Sequence, residues 1–264
     1  MFRPLGLLLA FLSAAAPALA GSTETLDVQV RGRTLSLAIY RPSATARGTI
    51  IMGSGDVGWV GLAVSMAQDL NAQGYLVVGL NVRQYLSAFT DGKSHLTAAD
   101  VPRDYNAIAN QLRQQKLVAA PVIVSGVSEG AALAALAASD PSNHVWIDGV
   151  IAMGLPEVAE LAWRWSDVPA WILKRDASEP SFHAHDIIPS VSPVPLVLIQ
   201  STKDEYVPEA DYQRLFATAR EPKRLILIEA SNHRFTDKPG ELRAAYASAL
   251  DWVKAAHGSS GNAK

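Results

Sequence analysis

Short apolar runs alternate along the chain with longer stretches in which apolar residues recur every three or four positions. Residues 26–30 and 35–40 alternate apolar and polar side chains across Arg31-Gly32-Arg33, which predicts a β-hairpin. Further strands are predicted at 49–52, 75–80, 122–125, 145–153, 195–200 and 224–229. The run 195–200 is almost wholly apolar, as a strand covered on both faces requires. Helical spacing appears at 60–72, closed by Gly74, and at 97–116, 129–138, 208–219 and 239–256. The tail 258–264 is expected to fray. Strands alternating with helices imply a doubly covered, mostly parallel sheet with right-handed crossovers and an antiparallel hairpin at its N-terminal edge.

One segment breaks the alternation. Residues 155–193 carry Trp163, Trp165 and Trp171, five prolines, and the close pair His183 and His185. The segment reads either as a cap-like insertion over the carboxyl edge of the sheet, where ligands bind in such folds, or as an excursion that packs the core. The first 20 residues have the three parts of a secretory signal: Arg3, an apolar run from Leu5 to Leu12, and the cleavage pattern Ala18-Leu19-Ala20. Gly21 is then the expected mature start of a single domain, 21–264, with a periplasmic or secreted location.

Composition narrows the function classes. The 264 residues include no cysteine, which removes disulfides, thiolate metal sites and cysteine nucleophiles. A formal net charge of −2 lacks the basic excess of a nucleic-acid binder. A hydrophobic share of 49% excludes a disordered chain.

The candidate chemistry lies in Gly126-Val127-Ser128-Glu129-Gly130, a G-x-S-x-G pattern between a predicted strand and a predicted helix. A turn this tight leaves no room for flanking side chains and exposes the serine hydroxyl above the sheet. An acid and then a histidine should follow later strands. Asp204 follows the strand at 195–200, with Glu205 as its neighbouring competitor and an Asp-x-x-Val-Pro pattern in its favour. His233 precedes the last helix. Ser128, His233 and Asp204 are thus the expected nucleophile, general base and orienting acid.

A tetrahedral intermediate needs two N–H donors. Glu129, after the nucleophile, is one. Asp56, in the glycine-rich loop Gly53-Ser54-Gly55-Asp56, is the other, with Gly55 as the one-residue alternative. Gly55 also lets the backbone approach a substrate. The side chains of Asp56 and Glu129 either meet a cationic group on the substrate or turn into neighbouring loops. Trp59 walls an acyl pocket or packs the following helix. Arg83 and Tyr85, just past a strand, contact a polar head group or serve structural pairing. His183, His185 and Asp186 lack a third metal ligand at a diagnostic spacing, so neither metal nor cofactor is expected.

Ser54-Gly55-Asp56-Val57-Gly58-Trp59 resembles the S-G-D-G-G-W signature of the VirJ/AcvB group of exported α/β-hydrolases. Residues 79–85, Phe182-His183-Ala184-His185-Asp186 and His233-Arg234-Phe235 are similar to later patterns of that group. The resemblance extends over about residues 49–253. It implies an α/β-hydrolase fold with a Ser–Asp–His triad and a periplasmic setting. For some members it implies cleavage of aminoacyl esters of phosphatidylglycerol, for others a link to virulence and type IV secretion. The chain departs from the pattern at Val57, where the signature has glycine, and at Glu129, where relatives carry an apolar or aromatic residue. The leading expectation is a serine ester hydrolase whose partner is a small-molecule or lipid ester, with peripheral membrane-surface contact and no nucleic acid. The alternatives are a secreted binding or scaffold protein that keeps the fold without turnover, and a serine peptidase.

Overall fold

A computed structural model describes residues 22–91, 93–163 and 180–261. The expected signal at 1–20, and Trp165 and Trp171, lie outside the described residues. The hairpin forms as β1 (Ser22–Val30) and β2 (Arg33–Arg41), turning at Arg31 and Gly32. The strands β3 (Thr49–Gly53), β4 (Leu76–Leu80), β7 (Val122–Val127), β8 (Gly149–Met153), β11 (Leu196–Ser201) and β12 (Lys223–Ile228) complete an eight-stranded sheet. Its order is β1-β2-β4-β3-β7-β8-β11-β12. The pairs β1–β2 and β2–β4 are antiparallel, and all other neighbours are parallel.

The two-residue period of the strands splits the core into two layers. Ile50, Met52, Ile151 and Met153 face a layer shared with helices α1 (Leu62–Ala72) and α7 (Pro239–Gly261). Ile51, Val124, Val150 and Ala152 face the opposite layer, with α2 (Val82–Ala88), α3 (Asp100–Gln114) and α4 (Glu129–Ala138). Every residue of α4 after Glu129 is buried, which explains its all-round Ala/Leu composition.

Several boundaries differ from the sequence reading. The strand expected from 145 starts at Gly149, because Trp146 and Ile147 both donate to the Asn143 carbonyl in a turn. The third helix starts at Asp100, whose carboxylate accepts from the Thr97 N–H and hydroxyl. Helix α2 was not expected; Asn81 starts it by accepting from the Gln84 N–H. The tail expected to fray from 258 stays helical to Gly261. A short antiparallel pair, β5 (Thr90–Asp91) and β6 (Lys93–Ser94), precedes α3.

Both described ends of the 155–193 excursion pack the core. Strands β9 (Val158–Glu160) and β10 (Ser181–His183) pair antiparallel, followed by the short helix α5 (Ala184–Ile187) and a 3-10 turn (Ile188–Val191). Leu155, Ala159, Leu161, Phe182, Ile188 and Val191 are buried in the α4 layer. Helix α6 (Glu209–Thr218) connects β11 to β12. No helix among the described residues is long and apolar enough to cross a membrane.

Candidate active site

The turn from β7 into α4 sets the site. Ser128 has φ 54° and ψ −120°, a conformation a non-glycine residue adopts only when its surroundings enforce it. Its N–H donates to the Met153 carbonyl at 2.9 Å, which pins the turn to the end of β8. A Cβ on Gly126 would lie 2.1 Å from the Gly130 carbonyl carbon, and one on Gly130 would lie 2.4 Å from the carbonyl oxygens of Gly53 and Ser54. Both glycines are therefore steric requirements, the second because α4 starts directly against the glycine-rich loop.

Asp204 and His233 come from the loops after β11 and β12. His233 Nδ1 and Asp204 Oδ2 are 2.6 Å apart. The Asp204 side chain is fully buried, and its Oδ1 accepts from the Tyr206 and Val207 N–H groups, each at 2.9 Å. That network fixes the carboxylate before the imidazole is added. Glu205, the competitor, instead accepts from the His233 backbone N–H at 2.8 Å. With Nδ1–H donated to Asp204, the lone pair of His233 sits on Nε2. That atom is buried and has no hydrogen-bond partner among the described residues. Burial pulls the imidazole pKa down, but the Asp204 hydrogen bond and the charges of Asp204, Glu129 and Glu205 outweigh it and hold it above its ordinary 6.5.

Ser128 and His233 line one cavity of about 710 Å³, together with Gly55, Asp56, Val127 and Glu129. A Cβ on Gly55 would stand 3.8 Å from the Ser128 Cβ, so this loop lies against Ser128. Burial, then the charge of Asp56, raises the Glu129 carboxyl above its ordinary range, against hydrogen bonds from Ser128 and its own N–H. Glu129 Oε2 is buried without a hydrogen-bond partner among the described residues.

Three expected contact residues belong elsewhere. Gly58 (φ 94°) turns the chain back on Gly55, and the Trp59 ring packs over Gly79 and donates from Nε1 to the Tyr40 hydroxyl at 3.1 Å. Trp59 thus fills a layer of the core and is not part of the cavity lining. Tyr85 points inward from α2, fully buried, and donates to Asp104 Oδ2 at 2.8 Å. Arg83 stacks on Trp163, 4.1 Å from the ring centroid, outside the cavity lining.

Other site features were not read from the sequence. Gly154 (φ 60°) lies directly under the His233 ring, where a Cβ would be 2.7 Å from Cε1. Tyr206 meets His233 edge-on at 5.3 Å between ring centroids. Val57, Val60, Val158 and Tyr206, each between 46% and 63% exposed, surround the cavity mouth. A glycine just past a buried strand was the one signal that pointed to position 154.

A strained serine between β7 and α4, and a histidine–aspartate pair on the loops after the last two strands, define an α/β-hydrolase fold. Within that class the chain belongs to the family described as "Bacterial virulence protein (VirJ)", which residues 48–238 match. Solved structures with the same fold include Est1E from Butyrivibrio proteoclasticus, with TM-score 0.65 and 14% identity over 88% of this chain and 99% of that one. Another is the Pyrococcus furiosus esterase Pf2001, with TM-score 0.65 and 19% identity over 88% and 92% of the two chains. A curated relative, the uncharacterized protein YfhR of Escherichia coli K12, is 41% identical over 64 residues, 24% of this chain. The match spans 22% of the length of that relative.

Proposed function

We propose that this chain is an exported serine hydrolase that cleaves a carboxylic ester through an acyl-Ser128 intermediate. The observation that carries the reading is the 2.6 Å pairing of Asp204 with His233 Nδ1, in the cavity that holds the strained Ser128. In this reading His233 Nε2 takes the Ser128 hydroxyl proton as Oγ attacks the ester carbonyl. The imidazolium then protonates the leaving alcohol. Water, deprotonated by the same nitrogen, releases the acid and restores Ser128. The N–H of Glu129, with that of Asp56 or Gly55, meets the oxyanion.

The substrate we propose is an aminoacyl ester of a phospholipid. Three features support it: the VirJ family, the two carboxylates Asp56 and Glu129 at the cavity, and the apolar side chains around its mouth. The carboxylates suit the ammonium of an aminoacyl group, and the rim suits acyl chains at a membrane surface in the periplasm. A fluorophosphonate probe tests the reading without assuming a substrate. Wild type should label, and Ser128→Ala should not, while losing at least ~10³-fold in ester turnover. A folded wild type that does not label would overturn it and leave a binding or scaffold protein.

A further inference from the structure

We propose that Glu157, His183 and His185 form a binding site for a divalent transition-metal cation of the zinc type, at the base of the 155–193 excursion. Each of the three offers a ligand atom within 4.8 Å of the other two. His183 Nδ1 is 3.7 Å from Glu157 Oε1, and His185 Nδ1 contacts the same oxygen. Zinc bonds of roughly 2.0–2.1 Å place tetrahedral ligand atoms about 3.3 Å apart, so an ion would draw His183 inward and open the His185–Glu157 contact.

The fold builds this convergence. The β9–β10 register sets Val158 opposite His183, and the Ala184 N–H donates to the Glu157 carbonyl at 2.7 Å. Strand β10 ends at His183 and a helical turn starts at Ala184, which brings the two imidazoles onto one side with centroids 5.3 Å apart. The spacing His-Ala-His was visible in the sequence, but the third ligand arrives from the residue just before β9, 26 positions earlier than His183.

Charged groups flank the ligands. Asp186 Oδ1 lies 3.1 Å from His185 Nε2, a carboxylate beside the ring nitrogen that does not face Glu157. Arg214 Nη2 lies 3.5 Å from the other Glu157 oxygen, Oε2, and is itself held by Asp211 Oδ1 at 3.0 Å. The guanidinium stands behind the carboxylate at ion-pair distance, Oε2 has no hydrogen-bond partner among the described residues, and Oε1 is left for the cation. Glu157 is only 11% exposed, whereas His183 and His185 are 53% and 38% exposed. A buried carboxylate under two solvent-reachable imidazoles leaves an outer coordination position for water. Pro156 and Val158, on either side of Glu157, line the cavity of Ser128, so the cation would clamp a wall of that cavity without touching the reacting atoms. The site is independent of the ester-hydrolase reading.

The test uses the full mature chain without a histidine tag, stripped with chelator and titrated with Zn²⁺ by calorimetry. Wild type should take up one equivalent and unfold at a higher temperature when loaded. Co²⁺ should give a visible d–d absorption band. Asp186→Asn should weaken binding about tenfold. The His183→Ala/His185→Ala variant should lose the site while its metal-free unfolding temperature stays near wild type, since both rings are partly exposed. Glu157→Gln, which conserves shape, should also lose it. No saturable uptake by folded wild type, or wild-type uptake by the double histidine variant, would overturn the site and leave a histidine–carboxylate ion pair.

Discussion

His233 is governed by charges that the cavity itself supplies. Its imidazole must be neutral to accept the Ser128 proton, so activity should rise with pH through an inflection above 6.5, the ordinary value from which it is raised. Glu129 is one of the charges that raise it. Glu129→Gln removes that charge, and the acid limb of the kcat/KM profile should move to lower pH. An unmoved limb would mean that Glu129 carries no charge in the free enzyme. Glutamate after the nucleophile is also where this chain departs from the pattern its sequence resembles, so the variant reads out what that departure does. The Asp-x-x-Val-Pro pattern favoured Asp204 over Glu205 without giving the physical reason they differ. They part because two backbone N–H groups claim Asp204 Oδ1, while Glu205 reaches the His233 main chain.

At the level of elements, the elbow and the glycine-rich loop are one packed unit. Gly130→Ala puts a methyl group against the carbonyl oxygens of Gly53 and Ser54, which are backbone atoms that cannot swing aside. Overpacking of this kind costs ~1–3 kcal/mol or more, measurable by urea unfolding. Displacement of the oxyanion loop should also lower ester turnover by about 10²-fold. Unchanged turnover in a destabilised variant would separate the loop from catalysis. The long strands and the elbow were legible because their signals are local: period-two apolarity and glycines at fixed offsets. Helix α2 was not, because its seven residues are too few to show a period. Of the alternatives the sequence left open for Trp59 and Tyr85, the structural one holds, for a related reason. Adjacency in sequence to a site loop says nothing about helical phase or about a turn at Gly58 that sends the next side chain into the core.

At the scale of the molecule, four of the six large hydrophobic side chains that stand exposed among the described residues gather at one opening: Val57, Val60, Val158 and Tyr206. They come from three separate stretches of chain, so no single window of sequence marks them. Val57→Ser combined with Val60→Ser should lower kcat/KM about tenfold on an ester presented in anionic vesicles. A short water-soluble ester should be turned over within about twofold of wild type. Equal losses on both would assign the rim to cavity shape instead of surface contact. The same dependence on distant pairing hid Glu157, whose approach to His183 is made by the β9–β10 register.

The end of β8 contributes no reacting atom to the proposed mechanism, yet it holds both partners of its proton transfer. The Met153 carbonyl fixes the Ser128 main chain, and the bare Cα of Gly154 is the floor under the His233 ring. The spacing between nucleophile and base is therefore inherited from a third party. Redesign that leaves every reacting residue intact can still detune the enzyme by lifting that floor, and position 154 belongs with the serine and histidine on any map of what must not drift.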